Sequence, residues 1–252
     1  MSPDSATDYH QVLDQVERDH WWFVALRELV ADTVTARVPL RSRILDVGCS
    51  TGHVIAEIPD EYERTGADIN ADAIRLARAA RPDIRFVEAP VEHLPFEDGS
   101  FDGALAFDVL SDRGVEDEAV ALREIRRVLR PGGILLVQLP AYAWLKSGHD
   151  DFVATARRYK ARSVRRLLED GGFVVEHLTY RITALFPLAA IRRLLAESGS
   201  GGDLRVPRPT LNRPLTGITR VENRFAARHR LPFGLSIFAV AAAPIADASA
   251  AP

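Results

Sequence analysis

The sequence predicts an α/β domain built on a doubly wound, mostly parallel sheet. Three observations predict it. Apolar strand-like runs alternate with helical patterns through the first half of the chain, and the first run empties into a small-residue turn at a helix start. The 252 residues, 47% hydrophobic and 27% charged, are also an ordinary globular mixture able to bury a sizeable core. Within residues 9–37, Tyr9, Leu13, Val16, Phe23 and Val24 recur at helical spacing and Pro39 closes the segment, giving an N-terminal helical lead-in. Residues 43–47 read as a short strand, and 51–58 as the helix beyond the turn. Strands follow at 64–69, 84–88, 101–107 and 133–139, with helices at 71–80 and 115–129, the latter ended by Pro131-Gly132. The second half departs from alternation: a helix at 161–170 stopped by Gly171-Gly172, a strand at 173–182, then an insertion. The insertion holds a helix at 184–197, a flexible linker at 198–202, a Pro-rich stretch at 206–214 and a helix to Arg230. A last apolar strand at 235–242 precedes an Ala- and Pro-rich tail that reads as disordered. The expected organisation is a lead-in or lid at 1–42, a main domain at 43–246 that includes the insertion 184–230, and a tail at 247–252.

Charge and composition narrow the function classes. Thirty-two basic against 35 acidic residues leave a formal charge of −3, with no overall pull toward nucleic acid or an anionic membrane. Cys49 is the only cysteine, so no intrachain disulfide and no multi-cysteine zinc site can form, and no metal is expected. No apolar run reaches the roughly 18 residues of a membrane helix. The nearest, 182–191 and 231–246, are too short or broken by Pro and Gly. Residues 1–8 carry acid and no cationic n-region, so no signal peptide is read and a cytoplasmic location is expected.

The central feature is the run from Ile44 through Asp46, Val47, Gly48, Cys49, Ser50 and Thr51 to Gly52, a buried strand followed by a tight turn. Three chemistries use such a turn. A dinucleotide site needs G-x-G-x-x-G, but Ser50 and His53 stand at the second and third glycine positions. A nucleophile elbow is literally satisfied by Gly48-Cys49-Ser50-Thr51-Gly52, yet an elbow belongs in the middle of a sheet and this is the first strand of the domain. An S-adenosylmethionine site is supported by Asp68, twenty residues beyond Gly48 at the end of the second strand, where a carboxylate can accept both ribose hydroxyls and Ile69 can lie against adenine. The bland alternative is the same fold binding no cofactor.

LDVGCSTG, GADIN, LPFEDGSFD and LREIRRVLRPGG, in that order across residues 43–139, resemble the motifs of class I S-adenosylmethionine-dependent methyltransferases. Outside that span, His20-Trp21-Trp22-Phe23 with Arg27, then Pro140-Ala141-Tyr142, Gly148-His149-Asp150, Arg157-Arg158-Tyr159 and Leu231-Pro232-Phe233-Gly234-Leu235-Ser236 resemble a bacterial small-molecule subgroup. The resemblance implies a Rossmann-like doubly wound sheet of about seven strands with the last antiparallel, an N-terminal helical lid and a helical insertion before the last strand. It implies S-adenosylmethionine as cofactor and S-adenosylhomocysteine as product. Gly48, Cys49, Ser50 and Gly52 would line the methionine end, Asp46 would orient its ammonium, Asp68 would hold the ribose, and Phe107 and Asp108 would sit beside the sulfonium. Relatives often place an acid where this chain has Pro90, so adenine recognition falls to Ile69, the backbone near Val91, or Glu92.

Other candidates have two readings each. The His20-Trp21-Trp22 cluster reads first as core packing, with His20 on the helix face of Leu13 and Val16. As a lid it would bring Arg27 or Trp22 to the cofactor carboxylate and His20 to the substrate. His149 and Asp150 are either a loop turn with a helix cap or a substrate-side base. The basic run Arg157, Arg158, Lys160, Arg162, Arg165 and Arg166 reads first as a solvated helix face, with an anionic substrate as the sharper alternative. Tyr142, Arg158, Tyr159 and Trp22 are the candidate substrate contacts, and His20, His149 and Asp150 the candidate catalytic groups. Two family histidines are absent, replaced by the Asp108-Val109-Leu110-Ser111-Asp112 sequence and by Ala156. The expectation is methyl transfer to a small molecule of secondary-metabolite, glycan or lipid type, without nucleic acid or membrane span; the oligomeric state stays open, a homodimer included. Two rivals share the fold: a member repurposed for cyclisation or other non-methylating catalysis, and a non-catalytic cofactor-binding scaffold.

Overall fold

The computed structural model describes residues 14–146, 150, 154–195 and 206–245. Tyr9, Leu13, His149, the 198–202 linker and the tail 247–252 lie outside the described residues. The strands are β1 (Arg43–Val47), β2 (Glu63–Asp68), β3 (Arg85–Glu88), β4 (Phe101–Phe107), β5 (Leu129–Pro140), β6 (Val174–Arg181) and β7 (Ser236–Ala242). The helices are α1 (14–19), α2 (Trp21–Arg37), α3 (His53–Glu57), α4 (Ala71–Ala80), α5 (Glu118–Val128), α6 (Ala161–Asp170), α7 (Phe186–Leu195) and α8 (Pro209–Ala226).

All seven strands join one sheet in the order β3-β2-β1-β4-β5-β7-β6. The pairs among β1 to β5 are parallel, and β7 runs antiparallel to both β5 and β6. Because the central strands are covered on both sides, their side chains are mostly apolar and sort by alternation onto two cores. Ile44, Leu105, Leu136, Phe238 and Val240 pack with Leu26 and Val30 of α2, Ile55 of α3 and Ile74 of α4. Leu45, Val47, Ala104, Ala106, Leu135, Val137 and Ala239 meet Leu122 and Ile125 of α5 and Val164 and Leu168 of α6. The chain leaves β1 toward β2 and β3, then returns to β4 on the other side. The carboxyl ends of β1 and β4 therefore form the switch point where ligands enter open α/β sheets.

Two expectations are corrected. The lead-in is not one helix: it breaks at His20, whose backbone is extended (φ −72°, ψ 132°) and whose Nδ1 accepts from Trp22 N at 3.2 Å, so His20 caps α2 instead of sharing a face with Val16. The Pro-rich stretch is helical from Pro209 onward, with Pro209 in the first turn and Pro214 inside α8. What holds α8 is α2. Asn223 Nδ2 donates to Ala25 O at 2.8 Å, Asn212 accepts from Trp21 N at 2.9 Å and donates to Asp19 O at 2.8 Å, and Arg220 pairs with Glu28. A third apolar cluster of Leu145, Ile182, Ala190 and Leu235, with Trp21, Trp22 and Phe186 against it, sits where β5 and β6 end and β7 begins. Among the described residues, no helix is long and apolar enough to cross a membrane.

Candidate functional site

The turn after β1 is shaped by backbone that few residues tolerate. Gly48 and Gly52 have φ +73° and +83°, and Ser50 sits at +50°. A Cβ on Gly48 would lie 2.5 Å from both Cβ and Cγ2 of Val109, so the turn and the short 3-10 segment after β4 are fitted against each other. Gly48 N and Cys49 N donate to Ala67 O at 2.8 and 3.1 Å. Asp68 closes the arrangement: Oδ2 accepts from Ser50 N and Oδ1 from Asn70 N, both at 2.8 Å. Each oxygen keeps a lone pair for another donor. Beside Asp68, Ile69 is 60% exposed, an apolar side chain left at the mouth of the switch point. Cys49 turns its thiol into the core against the space left by Gly66, so only its backbone faces the turn.

Beneath the turn lies Asp46, 2% exposed, whose Oδ2 has no hydrogen-bond partner. Burial, then the charges of Asp68 and Glu17, push its carboxyl up to about 8. Glu17 arrives from α1 and accepts from Thr51 Oγ1 at 2.6 Å. Burial raises it to about 7, against the Thr51 and Ser50 hydroxyls that favour its charged form. The Ser50 hydroxyl oxygen is itself buried without completing a hydrogen bond. α1 is docked by two further contacts. His53 Nδ1 accepts from Arg81 at 2.8 Å, which leaves Nε2–H to donate to Asp14 at 2.8 Å. Arg27 donates to the carbonyls of Glu17 and Arg18 and to Glu57, so it ties α1 and α3 to α2. Burial, then Arg81, lower His53 to about 4.

At the end of β4, Phe107 stacks on Phe238 with centroids 6.5 Å apart, and Asp108 takes a left-handed backbone at φ +59°. Its Oδ2 accepts from Gln138 Nε2 at 3.1 Å. Gln138 Oε1 accepts from Arg181 Nη1, Arg181 Nε donates to Asn223 Oδ1 at 3.1 Å, and Asn223 reaches Ala25 O of α2. A polar relay thus runs from the switch point to the α2–α8 pair. Burial lifts Asp108 to about 6, with Gln138, Arg158 and Arg181 opposing the shift.

The remaining sequence candidates lie around this centre. Trp22 and Tyr142 flank the third apolar cluster, and Tyr142 stacks on Tyr180 at 5.3 Å. Asp150 and Arg158 form a buried ion pair at 2.6 Å, and Arg158 also donates to Ala141 O at 2.9 Å. Tyr159 is buried and donates to Glu118 and, at 3.3 Å, to Leu110 O. Arg157 is spent on loop carbonyls including Val115 O at 2.9 Å, while Arg162 and Arg166 face solvent. Val91 is core, and Glu92 accepts from Glu116 N at 2.9 Å. Sequence reasoning missed Glu17, Gln138, Arg181 and Asn223. The one signal for them is Arg181, a charge closing an otherwise apolar strand.

Residues 45–137 match the family described as a methyltransferase domain. An O-methyltransferase of Penicillium expansum (cnsE) is 36% identical over 124 residues, 44% of each chain. A protein of Mycolicibacterium smegmatis named a probable S-adenosylmethionine-dependent methyltransferase is 30% identical over 161 residues, 63% of this chain and 61% of that one. The chain spans about half the length of the curated relatives it matches. Among solved structures, a SAM-dependent methyltransferase of Methanosarcina mazei superposes with a TM-score of 0.58 at 18% identity, covering 85% of this chain and 98% of that one. The 4+2 cyclase SpnF gives 0.61 at 20% identity, covering 94% and 92%. Over residues 45–137 the chain thus matches a methyltransferase domain, and as a whole it shares the fold of solved S-adenosylmethionine-dependent methyltransferases.

Proposed function

We propose that the protein binds S-adenosylmethionine at the switch point and transfers its methyl group to a small molecule. The observation that carries the reading is the unpartnered, buried Asp46 carboxyl oxygen, with Glu17 adding charge beside it. Carboxylates gathered in low dielectric are unfavourable alone and are complemented by a ligand that brings cationic charge. Asp46 and Glu17 would hold the ammonium end, Asp68 the ribose hydroxyls through its remaining lone pairs, and Ile69 the face of the adenine. When bound, the cofactor supplies a methyl group already activated by a sulfonium.

The protein's task is then to align a nucleophile and exclude water. Among the described candidates His20 caps α2 and Asp150 is paired with Arg158, and the proton acceptor of this reading is Asp108 at the switch point. Burial holds its carboxyl near 6, within reach of a weak base's work at neutral pH. Oxygen-directed and demethylmenaquinone methyltransferases among the relatives support a small-molecule acceptor. The test is calorimetric titration of wild type and Asp68→Ala with S-adenosylmethionine and S-adenosylhomocysteine. Binding in the micromolar range that weakens at least about tenfold in the variant is expected, tenfold being ~1.4 kcal/mol. No binding by wild type would overturn the proposal.

A further inference from the structure

A formal charge of −3 conceals a strong segregation of charge. Residues 206–230 hold six arginines against one acid, Glu222, a formal +5 in a chain whose remainder therefore carries −8. The single acid is turned to its own neighbours: Glu222 accepts from Thr183 N at 3.0 Å and Ala184 N at 2.8 Å. Arg220 pairs with Glu28 of α2. Among the described residues no carboxylate pairs with Arg208, Arg213, Arg224, Arg228 or Arg230, all of them exposed.

The same segment presents an apolar stripe to solvent. At 3.6 residues per turn, Leu211, Pro214, Ile218, Val221 and Phe225 fall within about 80° of arc on α8. The four larger side chains are 43% to 66% exposed. Thr216, Thr219, Asn223 and Ala226 form the packed side instead, where Asn223 is bonded to α2. Arg213, Arg220 and Arg224 take the third side of the helix. Gly217 lies between them and the stripe, and a Cβ added there would meet nothing within 4 Å, so this flank is open. A contiguous exposed apolar surface rimmed by charge marks an interaction site.

The charge selects the partner. A second copy seated on the same face would set arginines against arginines across a two-fold axis. Nucleic acid would take up the charge and leave the stripe in water. The surface of an anionic bilayer complements both features: the apolar side chains enter the boundary of headgroups and acyl chains, and the guanidiniums reach lipid phosphates on their long apolar stems. The stripe also begins at the end of the fold that carries the switch point. Asn212, beside Leu211, is bonded to Trp21, which packs on the third apolar cluster at the carboxyl ends of β5 and β6.

We propose that α8 is a surface anchor, laying the stripe from Leu211 to Phe225 into the interface of an anionic lipid bilayer without spanning it. The proposal goes beyond the methyltransferase reading and does not depend on it.

The test sediments the full chain with vesicles of phosphatidylcholine containing about 30% phosphatidylglycerol, and with vesicles of phosphatidylcholine alone. Binding to the anionic vesicles is expected to be at least about tenfold stronger than to the neutral ones, and to weaken severalfold in roughly 0.5 M salt. Ile218→Ser with Phe225→Ser, and separately Arg213→Gln with Arg224→Gln, should each lower affinity for the anionic vesicles at least about tenfold, a basic residue near such a surface being worth about fivefold. All four side chains are exposed, and circular dichroism verifies that both variants fold. Arg75→Gln with Arg123→Gln removes the same charge from exposed positions on α4, at the far edge of the sheet, and on α5, on its opposite face. That variant should change binding less than about threefold, because charges beyond a Debye length are screened. Failure to bind anionic vesicles, or equal binding to both kinds, overturns the proposal. So does a serine pair that binds like wild type while the glutamine pair does not, which reduces the face to a general polyanion site. A wild-type dimer in solution that the serine pair splits overturns it as well, giving the stripe to a second copy. No cofactor is added, so the outcome is independent of the calorimetric test of the methyltransferase reading.

Discussion

Raising the pH from 7 to 9 should destabilise the unliganded protein, opposite to the usual behaviour of a carboxylate. Asp46 is lifted from 3.8 to about 8 and Glu17 from 4.5 to about 7. In this range both are already ionised in the unfolded chain, while the folded chain still holds protons. The unfolded state therefore binds fewer protons, and the free energy of unfolding falls as pH rises. Each contribution is fully present below the unfolded value and is lost as pH climbs through the folded one. Integrating between pH 7 and 9, Asp46 accounts for about 1.4 kcal/mol and Glu17 for about 0.4. His53 and His177, both lowered by burial from 6.5, act mainly at acid pH and oppose the slope here by at most about 0.2 kcal/mol each, as the last protons leave the unfolded imidazoles. Cys49, held protonated by burial, adds a few tenths with the same sign, about 0.4 kcal/mol at most by pH 9, and Cys49→Ala removes it. Urea unfolding at pH 7, 8 and 9, followed by circular dichroism, measures the slope. Asp46→Asn should keep the shape and flatten most of it. Stability that rises with pH across this window, or an Asp46→Asn slope equal to wild type, would refute the reasoning.

Two further perturbations follow from the packing. Gly48→Ala combines a left-handed backbone, about 1–2 kcal/mol for a residue with a Cβ, with overlap against Val109 at 2.5 Å, about 1–3 kcal/mol. A loss of about 2–5 kcal/mol in urea unfolding is expected, and less than about 1 would show that the turn relaxes. Arg158→Met leaves Asp150 buried without its cation and should cost about 3–5 kcal/mol, much of it recovered in the double variant Asp150→Asn, Arg158→Met. Equal losses in the single and double variants would mean that the pair acts through packing and not through charge.

The sheet was legible because its signals are local. β1 and β4 match the expected 43–47 and 101–107, and α4 and α6 the expected 71–80 and 161–170. Asn70 supplies α4 with a side-chain cap and Gly171 stops α6, so periodicity and chain punctuation agree. The turn, Asp46 and Asp68 were legible for the same reason: one strand, one turn and one carboxylate at a fixed spacing. What was not legible depends on partners far along the chain. The break at His20 is fixed where Trp21 N donates to Asn212, 191 residues away, and no window of local sequence contains both. α8 keeps Pro214, which cannot donate a backbone hydrogen bond, because its other face is bonded to α2. Glu17, Gln138, Arg181 and Asn223 become a set only when β5, β6, α1 and α8 meet.

That set also bears on the histidines this chain lacks. Where the family resemblance leads one to expect imidazoles, Asp112 stands at the first position with Oδ1 accepting from Gly114 N at 2.6 Å, and near the second Ala156 N donates to Ser111 O at 2.8 Å. Asp112 thus turns a carboxylate to its own loop after β4, and Ala156 offers no titrating group. The nearby polar chemistry lies instead on the opposite side of Asp108, in the Gln138–Arg181–Asn223 relay. An imidazole can accept a proton but carries little fixed charge at neutral pH, whereas Arg181, even lowered by burial to about 10, stays cationic. On the reading proposed above, proton acceptance therefore rests with Asp108, the carboxylate at which that relay ends. The far end of the relay is tied to α2, since Asn223 binds both the guanidinium and Ala25 O.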